Sequence, residues 1–360
     1  MLFPARRAAA IGMALMAVLT QACDRTPEPK GSAEKATGGI APVASPSASS
    51  VTTEATSQGR SFRFPAKQRL VAIGDLHGDL QALRRALRLA QAIDGQDRWV
   101  GQELTLVQTG DQIDRGDQDR EVLDLLASLE RQAEAAGSAL HVLNGNHELM
   151  NVALDFRYVT PLSLASFKEF AGAKATGAAL ADMPPEALGR VAAFAPGGPY
   201  ARQLARRATV AVIGDTLFAH GGVLPEHVEY GLGRINAEVS GFLDGNGTPM
   251  PQIVQQEDGP VWTRIYGTPE LTPRICQALG QVLAKVGAQR MVVGHTVQKA
   301  GITSACEERV FRIDVGLAAY YGQTSAQVLE ITAAGTRVLR GNASSKTRVN
   351  ADLERRTTSP

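Results

Sequence analysis

The sequence predicts an α/β fold built on a parallel sheet, and three observations carry that expectation. First, the short apolar runs Leu70-Val71-Ala72-Ile73, Leu104-Thr105-Leu106-Val107 and Leu140-His141-Val142-Leu143 read as buried strands. Second, helical patterns separate them: Leu80, Leu83, Ala86, Leu87 and Ala90, then Val122, Leu123, Leu125, Leu126 and Leu129. Right-handed crossovers then bring successive strand ends to one edge of the sheet, where open α/β sheets bind ligands. Third, strand-like runs return late in the chain, at 291–293, 309–313, 326–331 and 336–339, and are expected to form a second sheet.

The N-terminus reads as an address. Arg6 and Arg7 precede an apolar stretch from Ala8 to Leu19, too short to span a bilayer, which takes about 20 residues. It runs into Leu19-Thr20-Gln21-Ala22-Cys23, which resembles a bacterial lipobox. Residues 1–22 are thus expected to be a signal peptide, with Cys23 lipidated to tether a periplasmic protein to a membrane. A soluble exported protein is the other reading. Residues 23–61 are rich in Ser, Thr, Ala, Pro and Gly and read as a flexible tether, because they offer too little apolar surface to offset ordering entropy. The tail 342–360 is similarly polar. One domain, 62–341, remains.

Within it, 149–208 is longer than a simple crossover needs. Helical patterns near 162–171 and 186–193, and a further helix after Pro196-Gly197-Gly198-Pro199, predict a helical cap insert, with Arg157 and Tyr158 as candidate substrate contacts. Cys276 and Cys306 fit either a disulfide or two buried free thiols, and neither has a Cys/His spacing that suits zinc. His141, inside an apolar strand run, reads as a structural histidine, and His227 receives no role. The net charge is +1, so bulk electrostatics predicts no attraction to nucleic acid. The clusters Arg84-Arg85-Arg88 and Arg206-Arg207 read as solvated helix faces.

The chemistry lies in motifs at the strand ends. Gly74-Asp75-Leu76-His77-Gly78, Gly110-Asp111-Gln112-Ile113-Asp114-Arg115-Gly116 and Gly145-Asn146-His147-Glu148 follow the three strands, and His220-Gly221-Gly222 and Gly294-His295 come later. Carboxylate, imidazole and amide oxygen without thiolate suit divalent manganese, iron or zinc. Two such ions about 3.5–4 Å apart can clamp a phosphoryl group and activate water.

These motifs, their order and the run Asn151-Val152-Ala153-Leu154-Asp155-Phe156-Arg157-Tyr158-Val159-Thr160-Pro161 resemble the PPP-type metallophosphatases of the calcineurin-like superfamily. Within it they resemble the Shewanella-like protein phosphatases, as does Gly214-Asp215-Thr216-Leu217-Phe218-Ala219-His220. The resemblance implies a metallo-dependent phosphatase fold, two mixed sheets packed as a sandwich and flanked by helices. It also implies a dinuclear site, manganese favoured. Asp75, His77 and Asp111 would hold one ion, and Asp111 would bridge to a second held by Asn146, His220 and His295. A water between the ions would attack phosphorus in line, His147 would protonate the leaving oxygen, Asp114 would orient His147, and Arg115 and Arg264 would grip the phosphate. Apart from the resemblance, Asp314 follows a strand-like run and reads either as a support for His295 or as ordinary turn chemistry.

Asn144 stands where the eukaryotic-type enzymes carry arginine, and no Trp-Ser-Asp-Pro-type segment is found. The expected activity is therefore phosphomonoester hydrolysis on a protein (phosphotyrosine or phosphoserine/threonine) or a small molecule. Hydrolysis of nucleotides or dinucleoside polyphosphates at the same site is the alternative. A catalytically dead binding module fits less well, since every predicted ligand is retained.

Overall fold

The computed structural model describes residues 60–172, 184–322 and 325–341. The expected signal segment, the tail 342–360 and all but the last two residues of the expected tether lie outside them. After a short strand β1 (Arg63–Phe64) come β2 (Arg69–Ile73), α1 (Leu80–Leu89), β3 (Leu104–Gln108), α2 (Asp119–Ala135) and β4 (Ala139–Val142). This is the strand–helix alternation that the apolar periodicity predicts. Asp79 starts α1 by accepting a hydrogen bond from Ala82 N, and the helix buries Leu80, Ala82, Leu83, Ala86 and Leu87.

Next come α3 (Asn146–Val152), α4 (Pro161–Ala165), α5 (Leu188–Phe194) and α6 (Pro199–Ala205), within or beside the insert. The chain continues through β5 (Val210–Ile213), β6 (Thr216–Ala219), α7 (Pro225–Tyr230), α8 (Leu232–Asp244) and α9 (Pro273–Val286). It closes with β7 (Arg290–Val293), β8 (Thr303–Ala305), β9 (Val310–Arg312), β10 (Gln327–Thr332) and β11 (Gly335–Arg340). The sequence reading leaves 225–286 unassigned, although α9 carries both ordinary end signals. Thr272 caps its start and Gly287, at φ 62°, stops it.

Two mixed sheets form. One has the order β11-β10-β2-β3-β4, the other β1-β5-β6-β7-β9-β8. This corrects one expectation: 326–331 and 336–339 join the first sheet, not the second. β10 pairs antiparallel with β2, Leu329 opposite Ala72, and so extends the catalytic sheet. The second sheet is buried on both faces. Ala211, Ile213, Phe218, Val292 and Phe311 point into the core shared with the first sheet. Their neighbours Val210, Val212, Leu217, Met291 and Val293 pack in a second core with α5, α6, α8 and α9. Side-chain alternation along each strand thus builds a helix–sheet–sheet–helix sandwich.

Cys276 of α9 and Cys306, just past β8, are joined in a disulfide, so of the two readings the bonded one holds. Arg207 departs from its expected place on a solvated face. It is buried, donating to Gln112 Oε1 at 3.1 Å and pairing with Glu130 at 3.1 Å, because the segment after α6 packs back against β4. His141 packs against Phe64 with ring centroids 4.8 Å apart and planes tilted by 46°, and burial lowers its pKa to about 4. His227 Nδ1 accepts from Leu224 N and closes the first turn of α7.

Candidate active site

Each metal-type side chain sits just beyond a strand: Asp75 after β2, Asp111 after β3, Asn146 after β4, His220 after β6 and His295 after β7. All five are buried. Hydrogen bonds stitch the loops together. Leu76 N and His77 N donate to Asp111 O at 2.9 and 3.0 Å. The buried Glu148 carboxylate accepts from Asp111 N, Gln112 N and Gly145 N at 2.7–2.9 Å. The backbone is strained here: His77, Asp111, Asp114, Arg115 and His295 all have φ between 45° and 71°. Such conformations persist only where the surroundings over-determine them, and they concentrate at functional sites. At Gly110, with φ 105°, a Cβ would lie 2.7 Å from Gly145 N and Cα, so only glycine lets these two loops sit side by side.

The donor set tests whether a cation belongs here. His220 Nδ1 faces Thr109 O at 3.1 Å, and a carbonyl only accepts, so Nδ1 carries the proton. That leaves His220 Nε2 as a bare lone pair. It meets Asn146 Oδ1 at 2.9 Å, His295 Nδ1 at 3.1 Å and Asp111 Oδ2 at 3.1 Å. His220 Nε2, Asn146 Oδ1 and Asp111 Oδ2 are three acceptors crowded together, an arrangement that a cation among them would stabilise. His77 repeats the pattern: Nδ1 faces Ile113 O at 3.3 Å, and Nε2 lies 3.8–3.9 Å from Asp111 and Asp75. The atoms of His77, Asp111 and His147, and those of Asp111, His220 and His295, form two groups that share Asp111.

Electrostatics agrees with ligand duty. Burial pushes His77 down to about 3 and His295 to about 2, so both rings are neutral, the form in which imidazole ligates a metal. Burial opposes charge on Asp111, yet His220, His147 and His77 hold its pKa well below the carboxylate range. Asp75 moves the other way, raised by burial and then by Asp314 and Asp111. Asp314 is therefore a neighbour of Asp75. It makes no hydrogen bond to His295, whose backbone is held by Asp75 and by Arg264 Nη1, the latter donating to His295 O at 2.8 Å.

His147 Nδ1 lies 2.6 Å from Asp114 Oδ2. Burial opposes the imidazolium, but the Asp111 charge and the bond to Asp114 outweigh it and raise the pKa. Arg115 Nη1 donates to His77 Nε2 at 2.8 Å and to the Tyr321 hydroxyl. The predicted catalytic and metal residues thus converge on one cluster, with Arg264 joined to it through His295 O.

Comparison with known proteins settles the lineage. Residues 68–298 match the calcineurin-like phosphoesterase family. The chain belongs to that family. It is 39% identical over 310 residues to Shewanella-like protein phosphatase 2 of Arabidopsis thaliana, covering 78% of this chain and 79% of that one. A solved cold-active protein tyrosine phosphatase superposes with a TM-score of 0.64 at 26% identity, covering 79% of each chain. A protein-tyrosine phosphatase of a psychrophilic Shewanella gives 0.63 at 25%, covering 78% and 83%. The protein is a metal-dependent phosphatase with a dinuclear site.

Several residues of this calcineurin-like site escape the sequence reading. Asn151 Nδ2 bonds Asp114 Oδ1 and His147 O, both at 2.9 Å. Arg190 reaches the same carboxylate from α5. Its only sequence signal is a lone arginine in the apolar run Leu188-Gly189-Arg190-Val191-Ala192-Ala193-Phe194. Tyr320 and Tyr321 escape the sequence reading as well; together with Tyr158, which the sequence names as a candidate substrate contact, they place their rings 5.4–5.7 Å from the Arg115 guanidinium carbon. Arg157 instead pairs with Asp155, at 2.6 Å. Asn144, the departure from the eukaryotic-type motif, faces away from the cleft and donates to Leu204 O at 3.1 Å.

Proposed function

We propose that this phosphatase hydrolyses phosphotyrosyl side chains and similar aryl phosphates. The observation that carries the reading is the aromatic wall around Arg115. Tyr158 and Tyr320 pack against Arg115 yet are 42% and 63% exposed, which leaves aromatic surface for a substrate ring beside the arginine that takes the phosphate. The tyrosine-phosphatase neighbours support it.

In this reading Asp75, His77 and Asp111 would hold one ion, and Asp111, Asn146, His220 and His295 would hold the other, with manganese preferred among hard-to-borderline ions. When bound, the pair supplies Lewis acidity that neutralises phosphate charge and activates water. Arg115 and Arg264 bind the remaining phosphate oxygens, Arg115 through its planar fork. His147 keeps its proton because Asp114 and Asp111 favour the imidazolium. With Nδ1 bound to Asp114, Nε2 is the nitrogen that hands the proton to the leaving oxygen. We also assign the protein to the periplasmic side of a membrane, lipidated at Cys23; the motif before Cys23 supports this, and Cys23→Ser then releases the protein from the membrane fraction.

The deciding experiment compares Mn-loaded enzyme on phosphotyrosine peptide, phosphoserine peptide and a dinucleoside tetraphosphate. The expected result is preference for phosphotyrosine, with Tyr158→Ala and Tyr320→Ala raising KM for that peptide alone. Equal KM changes on both peptides would overturn the aromatic wall, and preference for the tetraphosphate would move the assignment to nucleotide hydrolysis.

A further inference from the structure

Arg190 has no assigned role, yet it is one of the most completely buried charges in the described residues. Every guanidinium nitrogen is engaged. Nε donates to Asn151 Oδ1 at 2.8 Å, and Nη1 to Ser163 Oγ at 3.0 Å. Nη2 reaches Asp119 Oδ2 at 2.7 Å and Asp114 Oδ1 at 3.3 Å. Phe156, Phe167 and Phe194 surround the group, their ring centres 4.9–5.8 Å from its carbon. A buried arginine with this many partners is costly to desolvate, and stability alone gives no reason to aim it at Asp114, because Asp119 already neutralises it.

The consequence lies in the geometry of Asp114. Its Oδ2 bonds His147, so the direction of that bond is set by where Oδ1 is held. Two donors hold Oδ1: Asn151 Nδ2, and Arg190 Nη2. Arg190 also fixes Asn151 from the other side, through its oxygen. Asp119, the other carboxylate on Arg190, accepts from Asp114 N at 2.9 Å. The carboxylate is thereby gripped at its side chain and its backbone by one connected set.

We propose that Arg190 is a positioning residue for the general acid, and that through it the docking of the insert sets the orientation of Asp114 and His147. This rests on the reading of His147 as the acid. The insert is then part of the catalytic machinery rather than only a wall of the cleft. Gly189 shows how closely α5 must sit: a Cβ there would lie 2.7 Å from Phe167 C and nearer still to Phe167 O. Glycine at 189 therefore lets α5, which carries Arg190, pack directly on the Phe167 backbone within the insert.

The test uses full-length, Mn-loaded enzyme and two esters, p-nitrophenyl phosphate with a good leaving group and phenyl phosphate with a poor one. Metal content is measured alongside. His147→Ala is the benchmark, expected to lose far more turnover on phenyl phosphate. Arg190→Ala is expected to lose about 10- to 100-fold in kcat on phenyl phosphate, the range found when a group that orients a catalytic residue is removed. It should lose only a few-fold on p-nitrophenyl phosphate, with KM and both metals retained. Gly189→Ala, which keeps the arginine but displaces α5, should show the same selective loss, as should Arg190→Lys if the alanine variant does not fold. In the His147→Ala background, Arg190→Ala should add little. Equal losses on both esters, unchanged kcat, or full additivity with His147→Ala would overturn the proposal. If His147→Ala itself does not discriminate between the esters, the acid assignment fails first; if it does and the Arg190 variants do not, only this inference fails.

Discussion

Replacing Gly145 by alanine adds one methyl group between the two loops that carry the metal ligands. Gly145 has φ −94° and ψ −174°, extended backbone that alanine adopts without strain, so the substitution isolates a steric contact. The new Cβ would lie 2.5 Å from Asp111 N and closer still to Asp111 Oδ1, where Cβ atoms essentially never approach within 3.0 Å. Either the Asp111 loop or the start of α3 must therefore yield by about half an ångström, more than the ~0.2 Å tolerance of metal–ligand distances. Moving α3 also carries Asn146 and His147 with it. We expect turnover to fall by about 100-fold, the scale of a misplaced reacting group, and metal content to drop. Overpacking should cost about 1–3 kcal/mol of stability. Gly95→Ala, where a Cβ meets nothing within 4 Å, is the control and should leave all three unchanged. The assay is kcat on p-nitrophenyl phosphate, metal analysis by mass spectrometry and urea unfolding. A Gly145→Ala enzyme with two metals per chain and wild-type kcat would refute the placement of Asp111 between the sites.

Other outcomes follow from the same geometry. Asp111→Asn should remove bound metal and turnover together, because Asp111 belongs to both candidate metal groups; an active variant with a full metal complement would sink the bridging assignment. Replacing Cys276 and Cys306 by serine opens a cross-link of sequence separation 30 and should cost up to about 3.6 kcal/mol by the chain-entropy relation, read from the shift in urea midpoint at constant slope. His141 titrates near 6.5 when unfolded but only near 4 when folded, so the unfolded chain takes up the proton first as pH falls. Stability from this group is complete above pH 6.5 and lost progressively toward pH 4, by up to about 3 kcal/mol. His141→Phe should accordingly lose less stability than the wild type between pH 7 and pH 4, and parallel losses would contradict the burial argument.

The sequence by itself determined the catalytic half of this protein. Asp75, Asp111 and Asn146 are legible because each follows a short apolar strand within a few residues, and parallel crossovers leave such ends little choice but to be neighbours. His220 and His295 are legible because a family motif surrounds them, though their strands belong to the other sheet. What only the tertiary structure decided are relations with no local signature. That β10 joins β2 rather than the second sheet depends on which edge was free, and its continuous buried run from Val328 to Ile331 suits either. The Cys276–Cys306 bond required two distant segments to meet. Arg190 and the tyrosines at 320 and 321 reach Asp114 and Arg115 across 76 and more than 200 residues of chain, respectively. Periodicity encodes which face of an element is buried; it does not encode what a side chain on that face will meet, and the positioning of His147 lies in those meetings.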